Sequence, residues 1–79
     1  MVSGVGPLSS LSLGQAARID SFTDELVELK MLEMGVVPGE TAVLERFAPA
    51  GDPIAIRISD SLIGIRRTEA DHIIVKKED

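Results

Sequence analysis

The residues able to do chemistry in this chain are few, and the only histidine, His72, is the first candidate. Glu69 and Asp71 lie close to it in sequence, so an imidazole and two carboxylates could meet a transition metal. The chain has no cysteine, however, and one imidazole falls well short of a closed ligand shell. His72 is therefore a weak candidate metal ligand, and a surface histidine beside carboxylates is the favoured interpretation.

Catalysis and nucleotide binding find no support in the sequence. An enzyme needs a nucleophile, an acid or a base with a supporting group, and no such set is present. The glycines never form the GxxxxGK[ST] pattern whose backbone cradles phosphates. We therefore expect no catalytic residues, no enzymatic activity and no nucleotide site.

Charge and composition narrow the possible partners. A net charge of −5 opposes binding to nucleic acid, which requires a basic surface. No apolar run approaches the roughly 20 residues of a membrane span, and the N-terminus lacks the features of a signal peptide. We therefore expect a cytoplasmic domain. With 79 residues it is marginally stable alone, so burial against a partner or a second copy would help.

The elements that must position any site form a mainly β pattern. Residues 1–7 are predicted to be a flexible lead-in and residues 8–79 a single domain. Alternating apolar residues predict five strands, at about 15–22, 41–48, 54–59, 62–67 and 73–75. One helix is predicted after the first strand, and residues 68–72 form only one turn. The expected fold is a small five-stranded barrel with one inserted helix.

The helix is predicted to turn a stripe of apolar residues, led by three leucines, toward the core. Its apolar positions are Leu26, Val27, Leu29, Met31, Leu32 and Met34. The leucines recur at i, i+3 and i+6, the spacing of an amphipathic helix. Gly35 and Pro38 follow where a helix should end.

Two runs of alternating isoleucines predict a hairpin between the third and fourth strands. Its isoleucines are Ile54, Ile56, Ile58, Ile63 and Ile65. A turn centred between residues 60 and 61 brings them together on one face, whereas a one-residue slip would not. This register places Arg57 opposite Gly64, and Ala55 opposite Arg66, on the outer face. Gly64 then either accommodates curvature or leaves the backbone open to another chain.

The second predicted strand allows two orientations. Inward Ala42 and Leu44 leave Val43 and Phe47 outward with Glu45, whereas the opposite choice buries Glu45 at a high cost. A bulge near Glu45 would resolve the conflict. If Val43 and Phe47 do face outward, they form an apolar patch suited to protein contact, including a homodimer.

Four segments in a fixed order resemble the FeoA family, over about residues 8–75. They are LSSL near the start, then LEMGVVPG, then APAGDPI, and finally IGIRRTEADHIIV. The resemblance implies an SH3-like barrel with the helix packed against it. It also implies a cytoplasmic accessory role in bacterial ferrous iron transport and iron homeostasis. The implied partner is FeoB, a membrane transporter with a cytosolic GTPase part, which would hold the chain at the periphery of the inner membrane.

A related domain forms the C-terminus of diphtheria-toxin-repressor-like metal regulators. The alternative function is therefore a metal-responsive regulatory domain that binds a transition metal. Weak binding of Fe²⁺ or another transition metal is possible under this alternative, and we expect no other cofactor. A groove for proline-rich peptides is not expected, because Phe22 and Phe47 are the only aromatic residues.

The candidate partner-binding surface is the helix-to-strand turn at residues 34–39, with outer-face residues as secondary candidates. The full set is Met34, Gly35, Val37, Pro38, Gly39, Val43, Phe47, Arg57 and Arg66. Because glycine and proline also have backbone reasons to occupy a turn, a purely fold-shaping role carries about equal weight.

Overall fold

The computed structural model describes residues 4–78, which form one antiparallel sheet and two helices. The strands are β1 (Val5–Pro7), β2 (Ala16–Phe22), β3 (Thr41–Phe47), β4 (Ile54–Ile58), β5 (Ser61–Ile65) and β6 (Ile73–Lys77). The helices are α1 (Glu25–Glu33) and the short α2 (Arg67–Ala70), and a 3₁₀ turn covers Leu8–Ser10. The strand order across the sheet is β1-β6-β2-β3-β4-β5.

The mainly β class is confirmed, and so is the single long helix after the first predicted strand, which is now β2. The strand count differs, because the described sheet has six strands and not five. The additional strand, β1, lies within the predicted lead-in and pairs antiparallel with β6, with Gly6 opposite Val75. Three residues carry too little alternation to reveal a strand from sequence. Residues 1–3 of the lead-in lie outside the described part of the chain.

The core is aliphatic, and along the strands buried residues alternate with more exposed ones. Its members are Leu8, Leu11, Ala17, Ile19, Met31, Val36, Ala42, Leu44, Ile54, Ile56, Ile58, Ile63, Ile65, Ala70, Ile73 and Val75. Within residues 4–78 no polar or charged residue is buried. Each fully buried leucine or isoleucine contributes about 1.5–3 kcal/mol, so apolar burial holds the domain together.

The isoleucine hairpin forms with a register two residues away from the predicted one. Ile54 lies opposite Ile65, and Ile56 lies opposite Ile63. A slip of two residues keeps every side chain on its original face, so the apolar pattern alone cannot separate the two registers. The turn decides between them: Ser59 has a left-handed φ of 54°, and the chain reverses there, one residue earlier than predicted.

The corrected register changes the neighbours on the outer face. Arg57 lies opposite Leu62 and not Gly64, whereas Ala55 lies opposite Gly64 and not Arg66. The predicted pairing of an arginine with a missing side chain is therefore wrong. Gly64 still leaves open space, since no atom of residues 4–78 lies within 4 Å of where its Cβ would be.

The predicted bulge in β3 is confirmed. Ala42 and Leu44 are buried, and the pairing with β4 shifts register between Leu44 and Arg46. Glu45 is the extra residue and stays exposed, which avoids the cost of burying its carboxylate.

The bulge separates the two residues of the predicted apolar patch. Val43 lies opposite Arg57 on the outer face, whereas Phe47 lies opposite the buried Ile54, on the core side of the sheet. Directly paired residues share a face, so Val43 and Phe47 point to opposite sides. The prediction of a Val43–Phe47 patch is therefore wrong. A homodimer through that patch loses its basis as well.

Candidate functional site

The helix α1 has a sequence signal at each end. At its start, Asp24 is the N-cap, and its Oδ2 accepts a hydrogen bond from the backbone N–H of Val27 at 3.0 Å. Such a cap contributes about 1 kcal/mol. Glu25 and Glu28 lie in the first turn, where their negative charges interact favourably with the positive end of the helix dipole. At the other end, Gly35 takes a φ of 89°, the left-handed conformation that ends many helices.

The face of α1 that packs on the sheet is not the one bearing the leucines. Met31 is fully buried, and Val27 and Met34 pack partly buried against the core. The three leucines lie on the outer face; they are Leu26 (78% exposed), Leu29 (57%) and Leu32 (42%). We call these three residues the leucine face.

The prediction that the leucines face the core is therefore wrong. The helix carries two apolar stripes, one of leucines at i, i+3 and i+6, and one of Val27, Met31 and Met34 at i, i+4 and i+7. Only one stripe of a nine-residue helix can pack on a sheet. The double stripe is a signal that the sequence contains, and it could have indicated an unpartnered face.

Carboxylates surround the leucine face. Glu25, Glu28 and Glu33 are exposed and lie three or four residues from the leucines, so they are neighbours on the helix surface. Within residues 4–78 none of the three forms an ion pair. The one lysine of α1, Lys30, is paired with Glu69 of α2. The outer surface of α1 is thus apolar with an acidic rim.

The pair between Lys30 and Glu69 connects α1 to α2. The Lys30 Nζ lies 2.5 Å from Glu69 Oε2, and Glu69 Oε1 accepts a hydrogen bond from the backbone N–H of Arg66 at 3.1 Å. The hydrogen bond from Lys30 lowers the pKa of Glu69, which partial burial would otherwise raise, and the Arg66 N–H adds to the lowering. The Glu69 carboxylate therefore caps the start of α2 and, through Lys30, holds α1 beside α2.

The predicted surface at residues 34–39 is a turn fixed to β2. The Gly39 N–H donates to the carbonyl oxygen of Ile19 at 2.9 Å, and Gly39 has a φ of 96°. Pro38 is exposed and Val37 is half-buried. The turn therefore sets where α1 lies on the sheet, and its exposed part adjoins the end of the helix near Leu32.

The secondary candidates do not meet on one surface. Arg57 donates from Nε to Glu45 Oε2 at 3.0 Å on the outer face, next to the half-buried Val43. Phe47 lies on the opposite side of the sheet from Val43, and the guanidinium of Arg67 lies 5.6 Å from the centre of its ring. Arg66 is exposed just after β5 and is the N-cap of α2.

His72 is held by hydrogen bonds within the protein. Its Nδ1 lies 2.9 Å from Thr23 Oγ1, and its carbonyl oxygen accepts from the Thr23 N–H at 2.9 Å. Both carboxylates near it in sequence are engaged elsewhere, Asp71 with Ser9 and Glu69 with α1. In the described part of the chain, no group of three histidine, cysteine or acidic residues could hold a metal ion. His72 acts here as a connection between the end of β2 and the start of β6.

Within residues 4–78, no helix has the length and apolar character needed to span a bilayer. The antiparallel sheet with one packed helix defines the class of small SH3-like β domains, a fold shared by the solved structures described next. The FeoA domain model matches residues 6–77. The chain belongs to the FeoA family.

Two solved FeoA structures illustrate the likeness. The FeoA protein from Chlorobium tepidum is 34% identical, with a TM-score of 0.84 over 92% of this chain and 70% of that one. FeoA from Stenotrophomonas maltophilia, a prokaryotic SH3 domain protein solved in complex with zinc, is 25% identical, with a TM-score of 0.77 over 91% of this chain and 94% of that one. The Stenotrophomonas protein is described as a candidate activating factor of bacterial ferrous iron transport.

The same fold occurs as part of a longer protein. IdeR from T. acidophilum is 19% identical, and the match covers 95% of this chain and 35% of that one, with a TM-score of 0.80. At this identity the likeness shows the fold alone. No protein among the curated sequences matches the chain.

Proposed function

We propose that this chain is a non-catalytic accessory protein of bacterial ferrous iron uptake. It binds the cytosolic GTPase part of a FeoB-type transporter and modulates GTP-dependent import of Fe²⁺. The transporter would hold it at the cytosolic side of the membrane. Membership of the FeoA family supports the pathway, and the leucine face is the observation that carries the binding role.

The leucine face is costly unless something covers it. Burying one exposed leucine contributes about 1.5–3 kcal/mol, and Leu26, Leu29 and Leu32 leave much of this unrealised in the free chain. They follow one another at a spacing of three along α1, which is the arrangement of anchors that a helix inserts into an apolar groove of a partner. A contiguous apolar face with a charged rim is typical of a protein-binding surface.

The turn at residues 34–39 takes a supporting part in this proposal. Its two left-handed glycines fix the end of α1 on the sheet, and Pro38 is exposed within the turn. Arg57, Val43 and Phe47 lie away from α1 on β3 and β4 and are not needed for the contact.

Titration of the full chain against the purified cytosolic GTPase domain tests the proposal. The titration is repeated with a GTP analogue, with GDP and without nucleotide. Leu29→Glu should weaken binding at least tenfold, because a buried anchor is replaced by a charge. The matched control is Leu13→Glu, since Leu13 is 58% exposed but lies outside α1. Absence of binding by the unaltered chain in all three states would overturn the proposal.

A second measurement tests modulation separately from binding. The rate of GTP hydrolysis by the transporter should change when the chain is added, and Leu29→Glu should remove that change while Leu13→Glu keeps it. Equal behaviour of the two variants would show that the leucine face is not the contact.

A further inference from the structure

The strand β5 is an uncovered edge of the sheet. It pairs with β4 on one side, and within residues 4–78 no strand pairs with its other side. None of its residues takes part in the backbone hydrogen bonds formed outside the strand ladders in the described part of the chain. A row of backbone N–H and C=O groups is therefore free to pair with another strand.

This edge also lacks the usual protection. Natural edge strands are kept from pairing by short length, lysine, proline or a bulge. The opposite edge of the sheet, β1, has three residues and ends in Pro7. By contrast, β5 reads SLIGI and pairs with β4 over all five residues without a register shift. Of the two edges, β5 is the one that can accept a strand.

We propose that β5 pairs with β5 of a second copy of this chain, antiparallel and about a two-fold axis at Ile63. In this register, Leu62 of each copy lies opposite Gly64 of the other. Leu62 is 43% exposed, and the space above Gly64 holds no atom of the described chain within 4 Å of a Cβ position. A projecting side chain thus meets an empty position twice, once on each side of the axis.

The charges at the two ends of β5 agree with the same register. Asp60 precedes the strand and Arg66 follows it, and both are exposed. Neither forms an ion pair with another residue in the described part of the chain. The two-fold axis at Ile63 places Asp60 of one copy opposite Arg66 of the other, at both ends. This complementarity favours a second copy over an unrelated extended segment, despite the net charge of −5.

Sedimentation of the full chain over a range of concentrations tests this pairing. We expect a reversible monomer–dimer equilibrium. Asp60→Lys and Arg66→Glu should each weaken the dimer about tenfold, because each replaces two attractive cross-strand pairs by two repulsive ones. The double variant should restore the dimer, since both charges are exchanged. A chain that stays monomeric at every concentration would overturn the proposal.

Two further variants separate this edge from other surfaces. Gly64→Glu meets no atom of its own chain within residues 4–78, so the dilute protein should not melt lower than the unaltered chain. In the dimer it sets a carboxylate against Leu62 of the other copy and diagonally beside Asp60, so it should weaken the dimer at least tenfold. Leu29→Glu alters the leucine face and should leave the dimer intact. A dimer that Leu29→Glu abolishes, or that Gly64→Glu and the charge reversals leave unchanged, would show that β5 is not the contact.

Discussion

At the residue scale, two glycines with equally open surroundings have different reasons to be glycine. In the part of the chain that the structure describes, no atom lies within 4 Å of the Cβ position of Gly35 or of Gly64. Gly35, however, has a φ of 89°, whereas Gly64 takes a conformation open to any residue. The backbone thus requires a glycine at position 35, at the end of α1, whereas no contact or φ within residues 4–78 requires one at position 64.

We therefore expect Gly35→Ala to lower the free energy of unfolding by about 1 kcal/mol, because alanine is strained in the left-handed region. Gly64→Ala, the matched control, should raise it by about 0.4–1 kcal/mol, because Gly64 lies inside β5 with an ordinary φ and alanine lowers the entropy of the unfolded chain. Urea unfolding followed by far-UV circular dichroism measures both, since the chain has no tryptophan or tyrosine to report by fluorescence. Equal losses would mean that crowding, and not φ, constrains these positions.

The carboxylate of Glu69 makes stability depend on pH. The hydrogen bond from Lys30 holds its pKa below the ordinary value of 4.5 in the folded chain. Its contribution to stability is therefore complete above that value and is lost as the pH falls through the lowered pKa. We expect Glu69→Gln to lose stability at neutral pH and to show a flatter decline into acid, measured by urea unfolding at a series of pH values.

Glu28→Gln is the control for this experiment. Like Glu69→Gln, it removes one negative charge, but the charge comes from the surface of α1 and the pair between Lys30 and Glu69 stays intact. A flattening seen in Glu69→Gln and absent in Glu28→Gln assigns the effect to that pair. The same flattening in both would attribute it to the overall acidity of the helix.

At the scale of the element, α1 divides stability and binding between its two faces. Met31 is fully buried, so Met31→Ala should cost about 2–5 kcal/mol by leaving a cavity. Leu29 is 57% exposed, so Leu29→Gln should change the free energy of unfolding by less than about 0.5 kcal/mol. Thermal unfolding of the two variants makes the comparison. A large loss in Leu29→Gln would show that the leucine face supports the fold.

At the scale of the whole molecule, β1 makes the N-terminal residues part of the sheet. It pairs with β6 at three positions. A chain beginning at Leu8 loses this ladder, and at about 0.5–1.5 kcal/mol for each net hydrogen bond we expect a loss of about 2 kcal/mol. For a domain of this size, the melting temperature should fall by roughly 10 °C.

The matched control begins at Gly4 and keeps β1, together with the hydrogen bond that the Lys77 N–H donates to the Gly4 carbonyl oxygen at 2.8 Å. It should melt close to the full chain, because the pairing of Val5–Pro7 with β6 is retained. If the chain that begins at Leu8 melted at the same temperature as this control, the N-terminal segment would act as a lead-in and not as a strand.

The sequence by itself determined features that depend on local pattern and on the cost of burying charge. Alternation placed the isoleucines of β4 and β5 on one face, and the carboxylate of Glu45 required the bulge in β3. The end of the helix followed from Gly35, because a C-terminal cap acts within one turn of the chain. The order of four segments also identified the family.

The tertiary structure decided whatever depended on a choice between alternatives that are locally equal. A two-residue slip of the hairpin preserves every face, so the turn at Ser59 had to select the register. Likewise, α1 carries two apolar stripes of similar strength, and only contact with the sheet selected the stripe of Val27 and Met31 and left the leucines exposed. Sequence pattern fixes which side chains share a face, and packing between distant segments fixes which face is buried.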